Sequence, residues 1–328
     1  MFLTGDYKLL QKQVLRFKSQ KSIFSLLFII LLFLSNFSFL LVQGDETAAI
    51  NVVFDESHNP IFYSEMVDIP FVSGAYKEFA ELLENNSYNV DTFNNTLLYY
   101  VEETFDEVDI LILSCPSKAY MPGDFTYIEQ WVHKGGSLFV ITDYGPYGNA
   151  VSGLLEKFGY AEKGDDIKDS DDNLTSTSQT KFYVDGSNLH SHPALGAVSR
   201  VEFTSPDGLI EIPDDSVSLI TTDNDGTAYW GDTGISANNV TILSVLEGGL
   251  AKKGKVVVFT DANPWNNWYD TDNDTIIDFF DADHAELALN LINWLAIKST
   301  QGFPIRNIYL SIFITFSCLA IITKRKKK

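Results

Sequence analysis

Five aspartates at regular spacing offer the most specific chemistry in this chain. Asp270, Asp272, Asp274, Asp278 and Asp281 occupy positions one, three, five, nine and twelve of one loop, with Ile276 at position seven. Carboxylates at that spacing, joined by the backbone carbonyl of the seventh residue, can wrap a hard cation such as Ca²⁺. Two residues depart from the EF-hand pattern. Thr275 stands where glycine makes the sharp turn, and Asp281 stands in place of a longer bidentate Glu. The loop therefore reads either as a Ca²⁺ site or as an acidic surface loop. Asn273 heads an Asn-x-Thr triplet, and a glycan there argues against a closed cation loop.

A second constellation is spread along the chain. Asp55, Glu56 and His58 follow one apolar run, while Asp143 and Asp261, with Asn263, follow two later ones. Carboxylates and an imidazole at the mouth of a parallel sheet can bind a ligand or exchange protons. The same residue types also cap helices and hold loops, so both readings stand. Cys115 in Ser114-Cys115-Pro116 needs a cationic or imidazole partner before its thiol can act as a nucleophile. His190 and His192 could share a strand face as metal ligands, but Pro193 favours a turn. Trp265, Trp268 and Tyr269 could stack on a sugar or pack in the core. The sequence contains no phosphate-cradling Gly-rich loop, no Gly-x-Ser-x-Gly and no His-Glu-x-x-His.

These residues need elements to position them, and the apolar pattern supplies strands and helices in alternation. Ile50–Phe54, Val108–Leu113, Ser137–Thr142 and Val256–Phe259 are short β-branched or apolar runs, which predict strands buried on both faces. Helical spacing appears over 73–84, over 123–133 after Pro122 and before Gly135-Gly136, over 149–158, and over 285–295. Strand–helix alternation predicts a doubly wound, mostly parallel α/β sheet, flavodoxin- or amidotransferase-like in class, with ligands collecting beyond the carboxyl ends of its strands. Between 161 and 180 the periodicity fails and Asp, Ser, Thr and Lys dominate, which predicts an exposed mobile insertion. Shorter runs at 181–184, 201–203, 217–221, 227–230 and 240–246 predict an antiparallel extension of the same domain.

The ends of the chain predict a membrane. Residues 1–21 form a basic leader, and residues 22–43 are apolar over a length that suits either a signal peptide or a retained signal-anchor helix. A second apolar stretch, 305–323, is followed at once by the basic tail 324–328. Positive flanks stay cytoplasmic, so the domain over 45–298 is expected outside the cytoplasm. The whole chain carries a formal charge of −21, and the residues between the two basic ends hold 43 acidic side chains against 12 basic ones. Such a surface repels nucleic acid and attracts cations. With Cys318 in the second apolar stretch, Cys115 has no disulfide partner in the domain.

The order of motifs resembles a known group. Asp55-Glu-Ser-His58, the strand–helix–Gly-Gly–strand block from Val108 to Thr142, His192-Pro-Ala-Leu195, and Asp261, Asn263 and Asn267 before Asn290-Leu-Ile-Asn-Trp-Leu295 carry the resemblance. Together they are similar to the DUF4350 and GldG-like proteins and to the GIFT domain of an intraflagellar-transport subunit. These belong to the class I glutamine amidotransferase-like superfamily. The resemblance implies an α/β fold, membrane anchoring, and association with transport or cell-surface assemblies. Enzymatic members of that superfamily place a nucleophilic Cys on a strand-to-helix turn. Here that turn reads Asp143-Tyr144-Gly145, so amidotransferase chemistry does not carry over. The expected function is a membrane-anchored, extracytoplasmic, non-catalytic module that binds a ligand or a membrane-protein partner. The alternative is a hydrolase or transferase using a carboxylate/His site at the carboxyl edge of the sheet.

Overall fold

The structure, a computed structural model, describes residues 49–58, 76–93, 100, 102–175, 178–231, 233–267, 272 and 274–298. The two expected membrane segments, 22–43 and 305–323, lie outside these residues. Among the described residues no helix is long and apolar enough to cross a membrane.

The first half alternates as the apolar pattern predicts. Strand β1 (Asn51–Asp55) leads to helix α1 (Lys77–Asn85) and strand β2 (Asn89–Phe93), then β3 (Ile110–Ser114), α2 (Pro122–Lys134), β4 (Ser137–Ile141) and α3 (Pro146–Lys157). Short strands follow: β5 (Ala161–Glu162), β6 (Ile167–Lys168), β7 (Asn173–Thr175), β8 (Ser178–Asp185), β9 (Arg200–Thr204), β10 (Leu209–Glu211), β11 (Ser216–Thr221) and β12 (Tyr229–Trp230). The long β13 (Thr241–Glu247), the central β14 (Lys255–Phe259) and helix α4 (His284–Ala296) complete the domain.

Nine strands form one sheet in the order β2-β1-β3-β4-β14-β13-β10-β5, with β11 also on β13. The pairs from β2 through β14 are parallel, and those beyond β14 are antiparallel. Successive residues point to opposite faces, so each central strand feeds two cores. Ile110, Ile112, Phe139, Ile141, Val257 and Phe259 face one core with α1 and α4 residues such as Phe79, Leu287 and Leu291. Leu111, Leu113, Leu138, Val140, Val256 and Val258 face the other with Ile128, Val132, Val151 and Leu154 of α2 and α3. All twelve strand residues are fully buried. Each such side chain contributes about 1.5–3 kcal/mol of burial free energy, which explains why these strands lack the polar alternation of a half-exposed sheet.

The span 161–180, expected from its composition to be an exposed mobile insertion, contains paired strands. Its described residues carry β5, β6 and β7, Ile167 is fully buried, and β7 pairs with β8 in a three-stranded sheet that ends on β9. Two- and three-residue strands are too short to show a period, so backbone pairing orders the span without an apolar repeat.

Helix α4 is fastened at both ends. The Asp283 carboxylate just before it accepts the N–H groups of Ser199 (2.6 Å) and Arg200 (3.1 Å) and the Ser199 hydroxyl (2.8 Å). At its other end Lys255 Nζ donates to the Trp294 carbonyl (2.7 Å) and Ser137 Oγ to the Leu295 carbonyl (2.8 Å). Carbonyls of a last helical turn lack partners within the helix, and a cation there also complements the helix dipole. Gly135-Gly136 ends α2: Gly135 has φ +120°, and a Cβ on Gly136 would lie 2.2 Å from the Trp131 ring.

Candidate functional site

The carboxyl ends of β1, β3, β4 and β14 deliver Asp55, Cys115, Asp143 and Asp261 to one edge of the sheet. The structure sorts the expected ligand residues at this edge into two groups.

Asp55 centres the first group and is fully buried. Its Oδ1 accepts from the Ser57 backbone N–H (2.9 Å) and the Ser57 hydroxyl (2.5 Å). Its Oδ2 accepts from Tyr100 (2.7 Å) and Tyr120 and lies 3.2 Å from His58 Nδ1. His58 stacks on Tyr120 with ring centroids 3.7 Å apart. Burial raises the Asp55 pKa, but the hydrogen bond and charge of His58, with the bonds from Ser57 and Tyr120, outweigh it and hold the carboxyl below its usual value. Burial and the Asp55 charge push both tyrosines well above the usual phenol value. Glu56 is buried beside them, its N–H on the Phe93 carbonyl (2.9 Å).

A Ser, a His and an Asp thus meet within hydrogen-bonding reach, which invites comparison with a nucleophilic triad. The geometry differs in one decisive respect. Ser57 Oγ (2.8 Å) and Asp55 Oδ2 (3.2 Å) both approach Nδ1 of His58. A relay needs the acid on one ring nitrogen and the nucleophile on the other. Ser57 is moreover already spent on Asp55, so the arrangement fits a buried hub that pins the end of β1.

The second group joins β4, β14 and β9. Asp261 Oδ1 accepts from the Asn263 backbone (2.8 Å) and side-chain amide (3.0 Å), and Oδ2 accepts from Thr204 N (2.8 Å). Asn263 Nδ2 also donates to the Thr204 carbonyl (2.9 Å). Burial lifts the Asp261 carboxyl to about 7 despite these donors. Asp143 accepts from Tyr144 N (2.8 Å) and Ala262 N (3.4 Å), and burial together with the charge of Asp261 pushes its carboxyl well up. Cys115 is fully buried with φ +49°. Burial and the charges of Asp143, Glu162 and Asp261 push its thiol well up, the reverse of what activates a nucleophile. Tyr76 donates to the Ala262 carbonyl (2.8 Å) over this group.

The acidic loop is described only in part. Asp270 and Asn273 lie outside the described residues. Thr275 has φ +81°, the left-handed turn that glycine would otherwise supply. Asp272 Oδ1 accepts from Asp274 N (3.0 Å), and Asp274 Oδ1 accepts from Ile276 N (2.7 Å). Asp278 is buried at the start of a 3₁₀ turn, Asp278–Phe280, and its carbonyl bonds to His284 Nδ1. Asp281 and Asp272 instead meet Glu202 of β9, one oxygen of each lying within 4.8 Å of the others. Pattern reading could not find Glu202, because it is separated from the loop by some seventy residues.

Of the remaining candidates, His192 Nδ1 accepts from Ala194 N (3.1 Å) and so holds a turn, and Trp265 is fully buried against Phe259 with ring centroids 4.4 Å apart. Trp268 and Tyr269 lie outside the described residues.

A family model described as "Domain of unknown function (DUF4350)" matches residues 74–292. No curated protein matches the chain. Among solved structures the chain is similar to the mmIFT52 N-terminal domain, with 13% identity, a TM-score of 0.59, and coverage of 76% of this chain and 100% of that one. It is also similar to a cytoplasmic protein from Salmonella typhimurium (14% identity, TM-score 0.49, 74% and 98% covered) and to another from Salmonella typhimurium LT2 (14% identity, TM-score 0.48, 75% and 99% covered). At these identities the likeness concerns the fold alone.

Proposed function

We propose, for a chain that belongs to the DUF4350 family, that it is a non-catalytic binding module anchored in a membrane and facing away from the cytoplasm, where it serves a transport or cell-surface assembly. One observation carries the non-catalytic part. The functional groups at the carboxyl edge of the sheet are consumed by the protein itself, with Asp55, Asp143, Asp261 and Cys115 all buried and the three carboxylates accepting protein donors. The hydrolase or transferase alternative needs an accessible nucleophile or general base. Ser57 and His58 are turned onto Asp55, so that reading finds less support. The basic ends and apolar segments of the sequence support the anchoring and its sense. The shared fold with the mmIFT52 N-terminal domain supports kinship with the GIFT and GldG-like branches and with the amidotransferase-like superfamily.

Two measurements test the proposal. Protease added to intact cells should remove the 45–298 domain, and a domain digested only after lysis refutes the orientation. Affinity capture of the intact chain from detergent-solubilised membranes should return a membrane partner in stoichiometric amount. Hydrolytic or transfer activity that disappears in H58A would refute the non-catalytic reading.

A further inference from the structure

Beside β9, the acidic loop presents an arrangement that the binding-module reading does not use. Glu202 lies in the middle of the strand and is 4% exposed. Its Oε1 pairs with the Arg200 guanidinium at 2.7 Å, while its Oε2 is buried and finds no hydrogen-bond partner among the described residues. Asp281 repeats the pattern, since Oδ1 accepts from Ala282 N (2.6 Å) and Oδ2 is buried without a partner among the described residues. Asp272 brings a third carboxylate to the same place. A buried acceptor left unsatisfied costs roughly 1–3 kcal/mol, and more when it is charged. Here two such oxygens share a space with a further carboxylate, so each also suffers the repulsion of the others.

The chemistry of these oxygens indicates what would relieve the strain. Glu202 and Asp281 each keep one buried oxygen with no hydrogen-bond partner among the described residues, beside the carboxylate of Asp272. A cation placed between them would satisfy both. The donors are all oxygen, and the neighbouring imidazole is not available as a nitrogen ligand. His284 Nε2 accepts the Glu202 backbone N–H at 2.9 Å, and its Nδ1 is bound to the Asp278 carbonyl. An oxygen-only set drawn from a strand and a part-exposed loop suits Ca²⁺, which tolerates irregular coordination completed by water, better than Mg²⁺, which demands a near-octahedral set.

We infer that Glu202, Asp272 and Asp281 form a binding site for one Ca²⁺ ion. In this site β9 supplies the ligand that closes the acidic loop, and Asp274 and Asp278 of the sequence pattern serve the backbone and the interior instead. The second acidic group, Asp169, Asp171, Asp172 and Asp223, holds one such oxygen, Asp223 Oδ1, but its buried member, Asp169, is already engaged. Asp223 is part-exposed, and Asp169 Oδ1 already accepts from Asp171 N, Asp172 N and Thr227 Oγ1. Burial and the charge of Asp281 lift the Glu202 carboxyl to about 7, with Arg200 opposing and Asp272 adding to the rise.

Calorimetric titration of the full-length protein in detergent with CaCl₂ tests the site, with MgCl₂ as the competing probe and the Ca²⁺-induced rise in melting temperature as a second readout. One Ca²⁺ should bind per chain. E202Q and D281N should each weaken binding by about tenfold or more, while D274N stays close to wild type. Two ligand variants guard against one of them failing to fold. Absence of heat and of a melting shift at millimolar Ca²⁺ overturns the inference, as does unchanged binding in both E202Q and D281N. Equal loss in D274N overturns it in favour of the EF-hand order, and Mg²⁺ binding as tightly as Ca²⁺ overturns the choice of ion.

Discussion

His284 accepts the backbone N–H of Glu202, so the first residue of α4 holds the middle of β9 through a buried imidazole. With Nδ1 on the Asp278 carbonyl and Nε2 accepting an N–H, only the neutral tautomer protonated on Nδ1 satisfies both partners. Burial depresses its pKa, and the neighbouring carbonyl and carboxylates only partly offset the effect.

The sign of this contribution follows from linkage. In the unfolded chain His284 takes up a proton near pH 6.5, whereas the folded protein resists doing so until lower pH. Its contribution to stability is complete above about 6.5 and is lost as pH falls below that toward the depressed folded value. H284A should cost roughly 2–4 kcal/mol at pH 7.5 through the lost bonds and the cavity. The gap between variant and wild type in thermal melts should narrow at pH 5.5, and a constant gap contradicts the assignment.

The buried acids act in the opposite direction. Asp143, Asp261 and Glu162 have folded pKa values raised above their unfolded ones, Glu162 to about 8 by burial and the charge of Asp207. Their stabilising effect is complete below the unfolded values near 4 and is lost as pH rises through the folded ones. Melting temperature should therefore fall between about pH 5 and pH 8.5, by several degrees in a domain of this size. D261N should flatten the slope.

Asp55 tests the hub at the end of β1. D55N removes the charge that two tyrosines and His58 surround, and should cost roughly 3 kcal/mol because its partners stay buried. Y120F deletes a single bond and should cost about 1 kcal/mol. Chemical denaturation of each variant gives the numbers, and a larger loss in Y120F than in D55N would show that the ring stack, not the carboxylate, holds this corner.

Two glycines separate backbone crowding from mere composition. A Cβ on Gly254 would lie 2.2 Å from the Val132 carbonyl oxygen and 2.3 Å from that of Gly136, and neither can rotate away. G254A should destabilise by about 2–3 kcal/mol or more. Gly123, inside α2, has nothing within 4 Å of its missing Cβ, so G123A should be neutral or stabilising by up to about 1 kcal/mol. Melts of the two variants in parallel check the contrast.

Much of the fold could be read from local pattern. The β-branched runs placed β1, β3, β4 and β14 within two residues of their observed bounds, since a strand buried on both faces writes itself as an unbroken apolar run. Helices α2, α3 and α4 followed from their spacing, and the described part of α1 begins inside its expected range. β5, β6, β7 and β10 escaped notice because strands of two or three residues carry no period. At the site, pattern reading brought Asp55 and His58 together and set Asp143 near Asp261. It did not reveal that Tyr100 and Tyr120 converge on Asp55 or that Glu202 completes the acidic loop, because those contacts join residues distant in sequence. Lys255 was equally invisible: a lysine opening an apolar run reads as its solvated boundary, yet it is 2% exposed with its ammonium 4.4 Å from the centre of the Trp294 ring.

The grip of Lys255 and Ser137 on the final carbonyls of α4 has a mechanical consequence. Those two residues open β14 and β4, neighbouring strands in the middle of the sheet. Tension applied through the chain that leaves α4 is handed directly to the middle of the sheet and spread over two strands. The helix cannot be peeled off turn by turn until both tethers have snapped. A chain pulled from that end should yield abruptly, at one force, and not unravel by degrees.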